Sequence, residues 1–153
     1  MLIPKGDDHM IEQDTIRLLR ECDAGVKMGT ASIDSVLEHV KGEGLRKRLS
    51  ESKQAHNQLQ DELQILLDRY HDEGKSPNSV STGMAKMMTG MKLAVKPTDA
   101  TIADLMTDGC NMGVKSLSRY LNEYAAADEQ SKDIAKRLIS LEEKLAVDVR
   151  QYL

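Results

Sequence analysis

The sequence predicts an all-α protein: a four-helix bundle of two antiparallel hairpins, joined by a long crossover that carries a short extra helix. Three observations lead to this prediction. Apolar or small residues recur at alternating steps of three and four along four segments, the spacing of an inward-facing helix stripe. The 153 residues include 9 Met but no Phe and no Trp, a composition that suits helix packing better than a β-sandwich. Finally, the link between the second and third segments is much longer than the other two.

Glycines and capping residues divide the chain into these helices. Gly42 and Gly44 separate the first helix from the second, and Gly74 is predicted to end the second. Thr98 and Asp128 are the predicted N-caps of the third and fourth helices. The short turns between helices 1 and 2 and between helices 3 and 4 predict two antiparallel hairpins. The chain is predicted to be a single domain, residues 1–153, with helices at about 10–41, 44–73, 99–126 and 129–151.

The crossover between the hairpins, residues 75–97, is long enough to run back along the bundle. Four of its methionines have helical spacing, which predicts a short helix at about residues 82–94. Methionine side chains adapt to irregular protein surfaces. The predicted interaction surface is therefore this methionine stripe: Met84, Met87, Met88 and Met91.

An internal repeat relates the two hairpins. The segment GVKMGTAS in helix 1 (residues 25–32) shares four of eight residues with GCNMGVKS in helix 3 (residues 109–116). The tripeptide KRL occurs in helix 2 (residues 47–49) and again in helix 4 (residues 136–138). Two related hairpins would give this pattern, and chance similarity between amphipathic helices is the alternative. The glycines favour the first interpretation, since a mid-helix glycine costs about 1 kcal/mol relative to alanine.

Two hairpins joined by one Met-rich crossover resemble the ferritin-like superfamily, and they are most similar to small bacterial bundles of that group over residues 10–152. In its metal-binding members, two helices each give one Glu and the other two each give a Glu-x-x-His pair. Here Lys53 stands three residues before His56, and Leu145 stands three residues after Glu142. Mid-stripe positions in helices 1 and 3 are glycines. At most His56 and Glu142 remain of six such positions, so no metal and no cofactor are predicted.

Two features of the predicted interior have alternative interpretations. His56, the one histidine on a core stripe, is interpreted as a buried residue hydrogen-bonded to Ser52 or a facing polar group, and otherwise as a ligand for metal or a small molecule. The paired glycines predict tight contact between helices 1 and 3, with a ligand-sized mid-bundle cavity as the alternative. The candidate residues for this interior are Cys22, Gly25, Gly29, His56, Gly109, Cys110 and Gly113.

The composition also excludes some classes of function. The net charge is −4 with both signs interspersed, so no nucleic-acid partner is expected, and no apolar run predicts a membrane span. Two cysteines without a CxxC pattern and a start unlike a signal peptide predict the cytoplasm. No carboxylate pair suits acid–base catalysis, so the chain is predicted not to be an enzyme. The predicted function is self-association as a homo-oligomer or binding of a protein partner. The alternatives are small-ligand or single-metal binding in the interior, or a degenerate iron-binding oxidase or storage protein.

Overall fold

The computed structural model describes residues 5–77, 96 and 98–153, and within these residues it contains helices and no strands. This confirms the predicted all-α, four-helix class. The predicted crossover helix at 82–94 lies outside the described residues, as does the methionine stripe. None of the described helices is long and apolar enough to cross a membrane. The four long helices are α1 (Lys5–Leu37), α2 (Glu43–Arg69), α3 (Asp99–Glu123) and α4 (Glu129–Val149), and a short 3-10 helix, Arg150–Tyr152, follows α4.

Side-chain caps begin α3 and α4 at the predicted residues. The Thr98 hydroxyl accepts a hydrogen bond from the N–H of Thr101, and the Asp128 carboxylate accepts one from the N–H of Ser131. Each cap satisfies a backbone donor that has no partner inside its helix. The predicted caps are therefore confirmed.

The end of α2 differs from the prediction, because the chain turns at His71 and not at Gly74. His71 has a φ of 54°, the left-handed conformation that follows many helices. The N–H of Asp72 then donates to the Leu67 carbonyl at 3.0 Å, which closes the helix end. Glycine is the common residue at this position, but a histidine adopts left-handed φ more readily than most side chains do. α2 consequently ends at Arg69 instead of residue 73.

Polar contacts hold the segment that follows α2 against α1. Asp23, only 1% exposed, accepts a hydrogen bond from the N–H of Lys75 at 2.9 Å. Gly74 has a φ of 80°, and a side chain there would collide with the Asp23 carboxylate. Arg20 donates to both carboxylate oxygens of Asp72. The crossover therefore starts from a fixed position on α1.

Contacts at the helix ends determine the direction of each helix. The Asp99 carboxylate, at the start of α3, accepts hydrogen bonds from the N–H groups of Lys41 and Gly42 in the α1–α2 turn, at 2.9 and 2.8 Å. At the opposite end, the hydroxyl of Thr15 in α1 accepts from the N–H of Asp128 in the α3–α4 turn, at 2.8 Å. α2 ends near that second turn, where the Tyr70 hydroxyl donates to Asp128. Thus α2 and α3 are parallel, and the end of α2 and the start of α3 lie at opposite ends of the bundle.

The core consists of two apolar clusters, one toward each end of the bundle. α1 and α4 each pack on α2 and α3, and they also contact one another across the bundle. The cluster nearer the α3–α4 turn contains Leu18, Leu19, Cys22, Val26, Leu59, Leu63, Leu66, Leu67, Leu117, Ala127, Ile134, Ala135 and Leu138. The cluster nearer the α1–α2 turn contains Ile33, Val36, Val40, Leu45, Leu49, Ile102, Ala103, Met106, Cys110, Leu145 and Val149.

The buried stripe of α4 differs in phase from the one that a 3–4 alternation counted from Ile134 predicts. That count places Leu141 and Asp148 on the interior face, whereas the buried residues there are Glu142 and Val149. The observed stripe keeps the same alternation with the steps of three and four exchanged: Ala135, Leu138, Glu142, Leu145 and Val149. The exchange carries a carboxylate into the middle of the bundle.

We expect Asp99→Ala to lower the free energy of unfolding by about 1–2 kcal/mol, because two N–H groups of the α1–α2 turn lose their acceptor. Denaturant unfolding followed by circular dichroism measures the change. Asp104→Ala on the exposed face of α3 is the matched control and should shift stability by no more than about 0.5 kcal/mol. Equal losses in the two variants would contradict the assigned role of Asp99.

Candidate functional site

A polar layer crosses the middle of the bundle between the two apolar clusters. It consists of Gly29 on α1, His56 on α2, Gly113 on α3 and Glu142 on α4. On every helix the layer residue lies between members of the two clusters, as Gly29 does between Val26 and Ile33. The polar layer thus takes one residue from each helix, all at one level.

His56 is fully buried, and its hydrogen bonds determine which ring nitrogen carries a proton. Its exposed fraction is 0%, and Nδ1 lies 2.7 Å from the backbone carbonyl oxygen of Ser52. A carbonyl oxygen can only accept, so Nδ1 carries a hydrogen and donates it. The Ser52 hydroxyl is more distant, at 3.5 Å from the same nitrogen. Nε2 therefore points into the polar layer as the nitrogen available for a second contact.

The second contact of His56 is to Glu142, which is 8% exposed. His56 Nε2 and Glu142 Oε1 are 3.0 Å apart, in a buried hydrogen bond between α2 and α4. Because Nδ1 already holds its hydrogen, one further proton lies between Nε2 and Oε1. The pair is then either imidazolium with carboxylate or imidazole with carboxylic acid, and both forms have zero net charge. Burial without net charge avoids most of the desolvation cost of an isolated ion.

The surroundings of His56 favour the charged form of the ring. Burial acts to lower its pKa, but the hydrogen bonds to Glu142 and to the Ser52 carbonyl, together with the Glu142 charge, raise the pKa above its ordinary value. These contacts therefore outweigh burial and favour the protonated, imidazolium form of the His56 ring.

The glycines of the polar layer provide the space that His56 and Glu142 occupy. A Cβ atom on Gly29 would lie 2.8 Å from His56 Nε2 and 3.3 Å from Glu142 Oε1. A Cβ atom on Gly113 would lie 3.5 Å from the Glu142 carboxylate. On the α1 side, imidazole and carboxylate thus fill the room that the missing side chain leaves, where the sequence suggested either direct helix contact or an open cavity.

The other two candidate glycines lie in different surroundings. A Cβ atom on Gly25 would contact Leu138 at 3.4 Å and Leu117 at 3.9 Å, so this glycine packs among apolar side chains of α4 and α3. Gly109, predicted to be in the interior, is exposed, and a Cβ atom there would meet no group of the described residues within 4 Å. Its neighbour Cys110 occupies the interior stripe, and adjacent helix positions differ by roughly 100° in direction.

Cys22 and Cys110 are free, buried thiols in different apolar clusters. Burial, reinforced by Glu21 and Asp23, raises the pKa of Cys22 to about 12. Burial and the nearby Glu142 carboxylate raise the pKa of Cys110 as well. Both sulfurs are therefore protonated at neutral pH and are poor nucleophiles.

The arrangement offers little for binding a metal. In the part of the chain that the structure describes, no group of three or more His, Cys, Asp or Glu side chains is placed to hold a metal ion. Lys53, one turn before His56, extends to Asp34 on α1 in an ion pair of 2.5 Å. His56 and Glu142 are the only sequence-derived metal candidates, and each uses the other as its hydrogen-bond partner.

The partnership of His56 with Glu142 was not predicted from the sequence. The internal repeat aligned Glu142 with Lys53 and Leu145 with His56, so it matched His56 to an apolar residue and not to the carboxylate. Steps of four from Ile134 through Leu138 reach Glu142, so the spacing of α4 alone contained a signal for its burial. His56 on the interior stripe of α2, which is antiparallel to α4, was the second signal, because a buried carboxylate requires a partner.

Comparison of the chain with protein-family models, with curated proteins and with solved structures finds no match.

We expect the two glycines Gly29 and Gly109 to respond in opposite ways to alanine. Gly29→Ala should destabilise the protein by about 1–3 kcal/mol, because the new methyl group displaces His56. Gly109→Ala meets no neighbour within 4 Å in the described part of the chain and should stabilise by about 0.5–1 kcal/mol through helix propensity. Urea unfolding of the two variants beside the wild type tests both expectations. A stabilised Gly29→Ala protein would contradict the close packing at the polar layer.

We expect His56→Leu to destabilise the protein by about 3 kcal/mol, because Glu142 remains buried without its partner. The double variant His56→Leu/Glu142→Leu should recover most or all of that loss, since an apolar pair of similar volume has no unsatisfied group. A double-mutant cycle on unfolding free energies gives the coupling between the two sites. Additive losses, with no recovery in the double variant, would contradict the pairing.

Proposed function

We propose that the chain is a non-catalytic ferritin-like bundle that acts by self-association or by binding a protein partner. The observation that carries this proposal is the hydrogen bond between His56 Nε2 and Glu142 Oε1, at 3.0 Å in the buried centre. Where metal-binding bundles of this architecture have open ligand positions, these two side chains bind each other. The proposed role of this pair is structural, so we assign the function to contacts made by the protein surface.

The helix arrangement supports the ferritin-like part of the proposal. Two antiparallel hairpins with α2 parallel to α3 require one connection along the bundle, which is the connectivity of ferritin-like folds. The layer residues Gly29, His56, Gly113 and Glu142 lie at mid-bundle, and metal-binding bundles of this architecture build their sites from core side chains on facing helices. With glycine on α1 and α3, two of the four layer positions carry no side chain.

Ligand binding inside the bundle receives less support from the geometry. A small molecule would have to occupy the space beside Gly29, and the imidazole of His56 already occupies it. A zinc ion would need three or four protein ligands, whereas the polar layer offers one imidazole and one carboxylate beside a protonated thiol. Association at the surface is therefore the better-supported function.

The candidate surface for association comes from the sequence. Methionine side chains make adaptable contacts, and four of them share one face of the predicted crossover helix. Three further apolar side chains are exposed on separate helices: Ile65 (63%) on α2, Met112 (69%) on α3 and Val147 (55%) on α4. The proposed compartment is the cytoplasm, which the two free buried thiols suit.

Two measurements test this function together. If the chain self-associates, light scattering after size-exclusion chromatography should give a mass at least twice the 17.0 kDa of one chain. If the chain binds a protein partner instead, it should be a monomer that captures a defined partner. Elemental analysis after anaerobic iron loading should give no stoichiometric metal.

A Met87→Ser/Met91→Ser variant should shift the mass toward the monomer, and Met10→Ser serves as the control for loss of an exposed methionine outside the candidate surface. About two irons per chain would overturn the non-catalytic assignment, because di-iron sites of such bundles hold two metals. A monomer at all concentrations would overturn self-association.

A further inference from the structure

The His56–Glu142 hydrogen bond connects the two hairpins at mid-bundle. His56 belongs to α2 in the first hairpin and Glu142 to α4 in the second. The apolar contacts above and below this level are non-directional, so they tolerate small shifts between hairpins. The hydrogen bond tolerates much less, since its strength falls steeply with distance and angle. The alignment of the hairpins at their middle therefore depends on this bond.

The bond depends in turn on one proton. Nδ1 of His56 donates to the Ser52 carbonyl at 2.7 Å. The Nδ1 hydrogen therefore cannot move to Nε2 without loss of this hydrogen bond. If the proton between Nε2 and Oε1 is removed, a ring lone pair faces a carboxylate at 3.0 Å. Both atoms are then acceptors, and the buried pair has a net negative charge.

The side chains around the pair provide no replacement for that proton. α1 contributes Gly29, which has no side chain, and α3 contributes Gly113 and Cys110. The Cys110 thiol is uncharged, because burial and Glu142 raise its pKa. On α2, the nearest cation in sequence is Lys53, whose ammonium group is paired with Asp34. On α4 the nearest is Lys144, which is paired with Asp148. Among the described residues, the deprotonated pair therefore has no adjacent cation to neutralise it.

We propose that His56 and Glu142 form a one-proton latch between the two hairpins, closed while the shared proton is held and loosened when alkaline pH removes it. The latch does not depend on how the protein associates, so an experiment that overturns the proposed function leaves the latch untouched, and the reverse also holds. It makes the middle of the bundle responsive to pH, while the two apolar clusters keep each end together.

The sign of the effect follows from the direction of the pKa change. The pKa of His56 in the folded protein is raised above its unfolded value. The stabilisation is then fully present below the unfolded pKa of about 6.5 and is lost as pH rises through the folded pKa. Between those two values the folded state holds one proton more than the unfolded state, so the unfolding equilibrium constant increases with pH.

Glu142→Gln is the variant that isolates the latch. The amide of glutamine can donate to Nε2 of a neutral His56, which keeps the hydrogen bond without a titrating proton. In urea unfolding from about pH 6 to about pH 9, the wild-type unfolding constant should rise by up to about tenfold per pH unit relative to Glu142→Gln. His39, which is exposed on the α1–α2 turn, provides the control: His39→Gln should follow the wild-type curve.

Nitrogen-15 NMR of the histidine rings gives a second readout that remains usable if Glu142→Gln folds poorly. The His56 resonances of the wild type should titrate above about 6.5, with Nδ1 protonated throughout. Amide hydrogen exchange in α2 and α4 beside the layer should accelerate in the same pH range, after correction for intrinsic rates. A His56 ring that titrates at or below about 6.5 would overturn the latch. Identical pH dependence of wild type and Glu142→Gln would also overturn it.

Discussion

The hydrogen bond between His56 and Glu142 constrains the whole middle of the bundle. A buried imidazole and a buried carboxylate are each costly alone, and they are tolerated here because each satisfies the other. The requirement extends to α1 and α3, where Gly29 and Gly113 leave the room that the two side chains take. Four helices thus meet at one level around one contact, and any relative sliding of the hairpins would break it.

The bundle ends are joined by a different use of polar groups. At one end the Asp99 carboxylate binds two N–H groups of the α1–α2 turn, and at the other the Thr15 hydroxyl binds the α3–α4 turn. Each contact satisfies backbone donors that a turn leaves without partners. Polar contacts therefore fix the two ends and the middle, while two apolar clusters supply the bulk of the burial between them. This division lets the apolar regions remain simple in composition, with no Phe and no Trp.

The pairing at the centre illustrates where sequence reasoning was accurate and where it failed. The stripe of α2 identified His56 as an interior residue, because its spacing from Leu49 and Leu59 matches the helix repeat. On α4, a 3–4 alternation counted from Ile134 favoured Leu141, whereas the buried stripe has the opposite phase and contains Glu142. The internal repeat reinforced this error, since it aligned the hairpins by residue identity and not by their levels in the bundle. The wrong phase on one helix was enough to conceal the partner of His56.

The mid-helix glycines also show that sequence spacing does not determine what a residue contacts. The sequence singled out Gly29 and Gly109 equally, since both are expensive in the middle of a helix. Only packing distinguishes them: Gly29 faces the imidazole, and Gly109 faces no other residue among those that the structure describes. A glycine in the sequence shows only that a side chain is missing at that position. The packing of the surrounding helices determines whether another side chain fills the space. Helix ends behave similarly, because His71 takes the left-handed turn that Gly74 was expected to make.

The sequence by itself determined the all-α class, the four helices, their grouping into hairpins and the caps at Thr98 and Asp128, because these follow from local spacing and from hydrogen bonds within one turn. The tertiary structure alone decided which residues meet: His56 with Glu142, and Asp99 with the α1–α2 turn. Those contacts join positions far apart in the chain, and they depend on how far each helix is rotated about its axis. That rotation is set by the packing of all four helices together.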